Sequence, residues 1–137
     1  MKITKEKRIA FLQWMFGNNL HWAVEAMLRI HDNQELDEKE GAVRYSNGVG
    51  FNSYDAEKMC HLANIYKANL MREEPKPAET FFRDWEIARI LSTMPKYARQ
   101  ILETKISDVP KQVGEDSDLQ KLDKKIELYG QQIGVLK

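Results

Sequence analysis

The chain has 137 residues, of which 42% are hydrophobic, and its formal net charge at pH 7 is zero. This length and apolar content suit one domain with a modest core. A neutral chain excludes nucleic-acid binding by bulk charge, so any such contact must come from a local basic patch. Cys60 is the only cysteine, which excludes an internal disulfide and argues against a cysteine-based zinc site.

The chain also lacks the usual membrane signals. No apolar stretch approaches the roughly 20 residues that a transmembrane helix needs. The N-terminal "MKITKEKRIAFLQWMFGN" is too charged, and its apolar run too short, for a signal peptide. We therefore expect a cytoplasmic protein without a membrane partner.

Two helices are predicted at the start of the chain. The first covers about 4–16, and Asn18 or Asn19 can cap the second. The second helix has a wide apolar stripe and is therefore predicted to be central. Its stripe consists of Leu20, Val24, Met27, Leu28 and His31. The acidic segment 32–40 has no apolar period and is predicted to be a solvated linker.

"AVRYSNGVGF" predicts a short β-hairpin at 43–51. Asn47-Gly48 is a strong two-residue turn signal, and Gly48 should have positive φ because hairpin turns of this type require it. The spacing of Gly48 and Gly50 also resembles a dinucleotide-binding fingerprint. No buried parallel strand precedes it, so a structural turn is the better interpretation.

A third helix is predicted to start near Ser53 with Asn52 as its cap. Asp55 then lies in the first turn, where an acidic side chain suits the helix dipole. The turn and cap residues are Asn47, Gly48, Gly50, Asn52 and Asp55. The predicted buried face of the helix consists of Met59, Leu62, Ala63, Tyr66 and Leu70.

Two more helices follow the proline-containing connection 72–79. The fourth is predicted at about 78–93, with Trp85 on its apolar face. Aromatic residues at helical spacing are more often core than base-stacking platforms. Pro95 can occupy the first turn of the fifth helix, which carries Tyr97, Ile101 and Leu102.

The C-terminal segment has a heptad pattern. A polar linker at 107–118 is predicted to separate a helical domain, 1–106, from a C-terminal amphipathic helix, 119–137. Apolar residues at spacings of 3 and 4 define the heptad seam: Leu119, Leu122, Ile126, Tyr129, Ile133 and Leu136. Two heptads are short for an autonomous coiled coil. The helix must therefore pack on its own domain or form a homodimer, and the strict spacing favours the homodimer.

These elements predict an all-α fold of five helices plus the C-terminal helix. Neither a catalytic residue nor a metal or cofactor site is predicted. His21, His31 and His61 lack metal-ligand spacing, and the serines have no nucleophile-elbow context. We therefore expect a protein that is not an enzyme.

Basic residues have one local excess. Arg89, Lys96, Arg99, Lys105 and Lys111 oppose Glu103 and Asp108, a net charge of about plus three. A solvated helix face is one interpretation, and an edge that contacts phosphate is the other. Arg44, near the glycine turn, could contact phosphate as well. The candidate nucleic-acid contacts are therefore Arg44, Arg89, Lys96 and Arg99.

Two motifs resemble a small module of phage and prophage proteins. "NGVGFNSYDA" opens a helix, and "KYARQIL" follows about forty residues later. The match covers about 42–102 and is similar to segments that accompany helicases and other nucleic-acid-processing proteins. This chain departs from the module in its long, proline-interrupted connection and in having no helicase domain. The resemblance implies a phage-like protein that works near nucleic acid, and it brings no catalytic role.

The predicted function is a non-enzymatic, phage-like binding protein that acts on nucleic acid or on a nucleoprotein complex. The alternative is a phage-encoded protein–protein inhibitor or adaptor that antagonises a host defence nuclease, as anti-CRISPR proteins do. In that alternative the acidic segment 32–40 would meet a basic groove on its protein partner.

Overall fold

The computed structural model describes residues 3–39, 50–108 and 114–134. These residues confirm the all-α class. The helices are α1 Lys5–Asn18, α2 Leu20–Lys39, α3 Ala56–Leu70, α4 Ala78–Phe81, α5 Asp84–Thr93, α6 Ala98–Asp108 and α7 Gly114–Tyr129. A 3₁₀ helix, Met94–Tyr97, leads directly into α6. Within the described ranges, no helix combines the length and apolar character needed to cross a membrane.

Helix α2 is longer than predicted. The Asn19 side chain accepts from the Trp22 N–H at 3.2 Å, which confirms the asparagine cap at its start. The helix then continues to Lys39. Residues 32–39 are therefore helical, and the prediction that they belong to a linker is wrong. Gln, Glu, Leu and Lys all have high helix propensity, and this propensity extends the helix where the apolar period stops.

Helix α2 is also central, as its wide apolar stripe predicts. It packs against α1, α3, α4, α5, α6 and the 3₁₀ helix. The core between these elements includes fully buried side chains from several of them. Among them are Met27, Ile30, Phe51, Met59, Ile90 and Met94. Burial of such side chains, each contributing about 1.5–3 kcal/mol, is the main term that holds the bundle together.

The predicted fourth helix is interrupted. Phe82 has an extended backbone with φ −85° and ψ 145°, which ends α4. The Glu86 carboxylate then accepts from the Arg83 N–H at 2.9 Å and starts α5. The break allows two consecutive phenylalanines to contact one ring, since Tyr66 lies 5.5 Å from Phe81 and 5.3 Å from Phe82 between centroids. Adjacent residues of a continuous helix point about 100° apart and could not both do so.

A buried asparagine fixes the proline-containing connection. Asn69, at the end of α3, is 2% exposed. Its amide donates to the Lys76 carbonyl oxygen at 2.8 Å, and its side-chain oxygen accepts from the Lys76 N–H at 3.1 Å. The Asn69 side chain therefore holds the connection against α3 by hydrogen bonds to both backbone groups of Lys76.

Helix α7 packs on the rest of the same chain. Ile126 is fully buried and clusters with Ile3 and Phe11. Arg8 donates two hydrogen bonds to the Asp123 carboxylate, both at 2.8 Å. This bonding raises the pKa of the Arg8 guanidinium above its ordinary value, although partial burial opposes the shift.

The heptad seam is thus divided among different environments. Leu122 and Ile133 pack beside Ile126, whereas Tyr129 is half exposed. Leu119 lies on α7, and Leu136 falls outside the described residues. The homodimer that the strict spacing favours would require α7 to leave α1, because Ile126 is already buried there, and this packing agrees with the intramolecular alternative. Residues 107–108 belong to α6 and residues 114–118 to α7, so both ends of the predicted linker 107–118 are helical.

Candidate functional site

The two quoted motifs of the sequence contact each other in the structure. The segment from Gly50 to Asp55 precedes α3, and it lies against the 3₁₀ helix and the first turns of α6. Hydrogen bonds made by the side chains of Tyr97 and Gln100 connect these two parts of the chain. We call residues 50–55 the glycine loop.

Gln100 holds the first residue of the glycine loop. Its side-chain oxygen accepts from the Gly50 N–H at 2.8 Å, and its amide donates to the Gly50 carbonyl oxygen at 3.0 Å. Gly50 is buried and has a φ of +84°, a conformation that favours glycine. Both backbone groups of this buried residue are thereby satisfied by one side chain.

Tyr97 holds the middle of the loop. Its ring packs edge-on against fully buried Phe51, with centroids 5.3 Å apart. Its hydroxyl accepts from the Asn52 N–H at 3.1 Å and donates to the Asp55 carboxylate at 2.6 Å. One tyrosine therefore bonds both ends of the turn that precedes α3.

Asp55 receives a second bond at the same oxygen. Lys96 Nζ lies 2.8 Å from Oδ2 of Asp55, whose side chain is 7% exposed. Burial, and then the hydrogen bond to Asp55, raise the pKa of the Tyr97 hydroxyl well above its usual range. Because Lys96 and Tyr97 both occupy Oδ2, this carboxylate positions the loop and is poorly suited to act on a substrate.

Asn52 closes the turn before α3, whereas the residue at the N-cap of the regular helix is Asp55. The Asn52 side chain accepts from the Asp55 N–H at 2.8 Å, and its carbonyl oxygen accepts from the Ala56 N–H at 2.9 Å. The regular helix begins at Ala56, a few residues later than the predicted start near Ser53. Gly50, Asn52 and Asp55 thus lie together, whereas Asn47 and Gly48 of the predicted turn fall outside the described residues, as does most of the predicted hairpin.

The predicted phosphate contacts lie in three environments. Lys96 is ion-paired with Asp55 and remains half exposed, at 51% of its side chain. Arg99, one turn later, is 62% exposed and approaches Glu103 at 3.9 Å. Arg89 lies on α5 beside a groove formed with α3. Arg44 falls outside the described residues.

Sequence reasoning missed several participants. Tyr97 was predicted only to lie on the fifth helix, because nothing local reveals that its hydroxyl bonds to Asp55. Trp85 was expected in the core, yet 60% of it is exposed. Lys58 and His61 line the same groove as Trp85 and were assigned no role. Their spacing of three residues on one helix was the available signal.

The site therefore consists of a clamped loop, two exposed cations and an adjoining groove. Within this site the buried Asp55 carboxylate already accepts from Tyr97 and pairs with Lys96. Comparisons of the chain with protein-family models, with curated proteins and with solved structures found no match.

Proposed function

We propose that this chain is a non-enzymatic, phage-like binding protein that contacts nucleic acid, either free or within a nucleoprotein complex. The observation that carries the proposal is the position of Lys96 and Arg99. Both cations extend from the segment that clamps the glycine loop, and both remain more than half exposed. Their backbone is fixed by the contacts of Tyr97 and Gln100.

The ion pair of Lys96 is compatible with this role. An ammonium group has three donors, and Asp55 accepts one of them. The remaining donors can face phosphate oxygens, while the pair holds the side chain in place. A prepositioned cation loses less conformational entropy on binding than a free lysine does.

The test is the salt dependence of binding to single-stranded and duplex DNA and to RNA. Each phosphate contact contributes a slope of about 0.7 for single strands, or about 0.9 for duplex DNA, to log affinity against log salt. The double variant Lys96→Gln and Arg99→Gln should reduce the slope by about 1.4–1.8. Glutamine is chosen because a glutamate at position 96 would repel buried Asp55.

The matched control is the double variant Lys121→Gln and Lys124→Gln. These two exposed lysines lie on α7 and give the same change in net charge. We expect this control to keep the wild-type slope. A wild type without salt-sensitive binding at low ionic strength, or an equal loss in the control, would contradict a specific phosphate-contacting surface.

One observation favours the second candidate, a protein–protein inhibitor or adaptor. Helix α2 continues through the acidic segment, so Asp32, Glu35, Asp37 and Glu38 lie on a regular helix. An acidic helix can occupy a basic groove of a nuclease and compete with its nucleic acid. Binding to a nuclease that weakens when Glu35 and Glu38 become glutamine, without binding of the chain to free nucleic acid, would support this candidate over the first.

A further inference from the structure

The groove between α3 and α5 has features of a binding site. Both helices pack against α2, and they enclose a volume of about 320 Å³. Leu62 is buried at 2% exposure and provides an apolar lining. The other lining residues are Glu57, Lys58, His61, Trp85 and Arg89.

Trp85 gives the groove a flat aromatic surface. It is the second residue of α5, and 60% of its surface is exposed. Single exposed hydrophobic residues are ordinary on protein surfaces. This indole is distinguished by its neighbours, because Arg89, Lys58 and His61 line the same groove.

Arg89 has an unused hydrogen-bond donor. It follows Trp85 by four residues, so the two side chains share one face of α5. Its Nε atom is buried and has no hydrogen-bond partner among the described atoms. A buried donor without an acceptor costs free energy, which an oxygen of a bound ligand would recover.

The opposite wall adds more cationic and polar groups. Lys58 and His61 lie one turn apart on α3, and both are exposed. Lys58 and Arg89 outweigh Glu57, so the groove has a net positive charge with the histidine counted as neutral. Aromatic stacking surface beside cations is the combination that binds single-stranded nucleic acid.

The groove also adjoins the clamped loop. Asp55, which holds Lys96, precedes Lys58 by three residues and so lies one turn away on the same side of α3. A nucleic-acid backbone that leaves the groove at Lys58 would next meet Lys96 and then Arg99. From this spacing we expect the groove and the exposed cations to contact the same nucleic-acid strand.

We infer that this groove binds a single-stranded nucleic acid, with one base stacked on Trp85 and a neighbouring phosphate held by Arg89 and Lys58. The inference rests on the proposed nucleic-acid function and names its substrate class. Bases in a duplex are stacked on each other and offer no free face to the indole. An acidic peptide would satisfy the cations but would leave the Trp85 ring without a stacking partner.

The experiment compares four fluorescent probes by anisotropy. Three are a single strand of about 20 nucleotides, its duplex, and an abasic strand of the same length that keeps the phosphates, and the fourth is polyglutamate. Trp85→Ala should weaken binding to the single strand by about 5- to 150-fold, as expected for loss of one stacked base. Its binding to the abasic strand should not change, and Trp85→Phe should keep most of the affinity.

Trp14→Ala is the matched control, since Trp14 is also substantially exposed but lies on α1. This variant should bind like the wild type. Circular dichroism of Trp85→Ala should match the wild type, because removing a mostly exposed ring leaves no cavity. Arg89→Gln should lower the salt slope for the single strand by about 0.7.

The outcomes separate this inference from the proposed function. If Trp85→Ala binds the single strand as the wild type does, while the Lys96 and Arg99 double variant does not, the groove inference is wrong and the proposed function stands. If polyglutamate binds in a Trp85-dependent manner and the single strand does not, the groove takes an acidic peptide instead. If no nucleic acid binds, both proposals fall.

Discussion

Gln100 and Gly50 exchange two hydrogen bonds, at 2.8 and 3.0 Å, across fifty residues of sequence. The Gln100 amide satisfies both the N–H and the C=O of the buried glycine, as the backbone of a neighbouring β-strand would. The contact joins the loop before α3 to the first turn of α6. The exposed cations Lys96 and Arg99 therefore belong to the same rigid unit as the glycine loop.

Gln100→Ala should lower the free energy of unfolding by about 1–3 kcal/mol, because the buried N–H and C=O of Gly50 would lose their partners. Denaturant unfolding measures this loss. Gln13→Ala is the control, since Gln13 is exposed on α1 and alanine favours helix. An equal or smaller loss for Gln100→Ala than for Gln13→Ala would show that the amide contact contributes no stability.

Gly50→Ala should destabilise the protein by about 1–2 kcal/mol, because its φ of +84° is unfavourable for a residue with a Cβ atom. Gly17→Ala should stabilise the protein or leave its stability unchanged. Gly17 is helical, and an added Cβ would lie 3.5 Å from Pro95 Cγ, an ordinary contact. If Gly50→Ala and Gly17→Ala lower the melting temperature by the same amount, Gly50 does not have the left-handed conformation.

Tyr97→Phe removes the hydroxyl that bonds Asn52 and Asp55, and should cost about 1–3 kcal/mol at neutral pH. The tyrosine pKa is raised in the folded state, so the protonated hydroxyl stabilises the fold. This contribution is complete below the unfolded pKa of about 10 and is lost as the pH rises above it.

The difference in unfolding free energy between wild type and Tyr97→Phe should therefore shrink as the pH rises above about 10. Tyr54→Phe is the control, because Tyr54 is 86% exposed in the same loop. A wild-type advantage over Tyr97→Phe that is constant across the alkaline range would contradict a buried hydroxyl bonded to Asp55.

Ile126→Ala on α7 should destabilise the protein by about 2–5 kcal/mol, because the side chain is fully buried against Ile3 and Phe11. Leu128→Ala on the same helix should change little, since Leu128 is 68% exposed. Light scattering should give a monomer for both variants and for the wild type. A wild-type dimer that Ile126→Ala dissociates would show that the heptad seam pairs two chains instead.

Features set by neighbouring residues were predictable from the sequence. The Asn19 cap follows from local chemistry and is present, and Asn52 closes the turn before α3. The central position of α2 follows from its wide stripe. The break at Phe82 was not predictable from helical periodicity, because it depends on where the ring of Tyr66 lies in three dimensions.

In the candidate site, too, local features were predictable and contacts between distant segments were not. The motifs containing Gly50 and Gln100 were visible as separate segments, but the contact between them depends on the fold of everything in between. Trp85 has the spacing of a core aromatic, and only the packing of α3 and α5 on α2 leaves it exposed. Periodicity identifies which residues share a helix face, and it does not identify which faces remain uncovered.

Backbone amide shifts in a ¹⁵N-labelled protein, titrated with a short single-stranded oligonucleotide, test the proposed surface most directly. We expect the largest changes at Lys58, His61, Arg89, Lys96 and Arg99, together with the Trp85 indole N–H. Amides of α7 should stay unchanged. Shifts confined to α7 or to the outer face of α1, or no shifts at low salt and high oligonucleotide concentration, would contradict nucleic-acid binding through this surface.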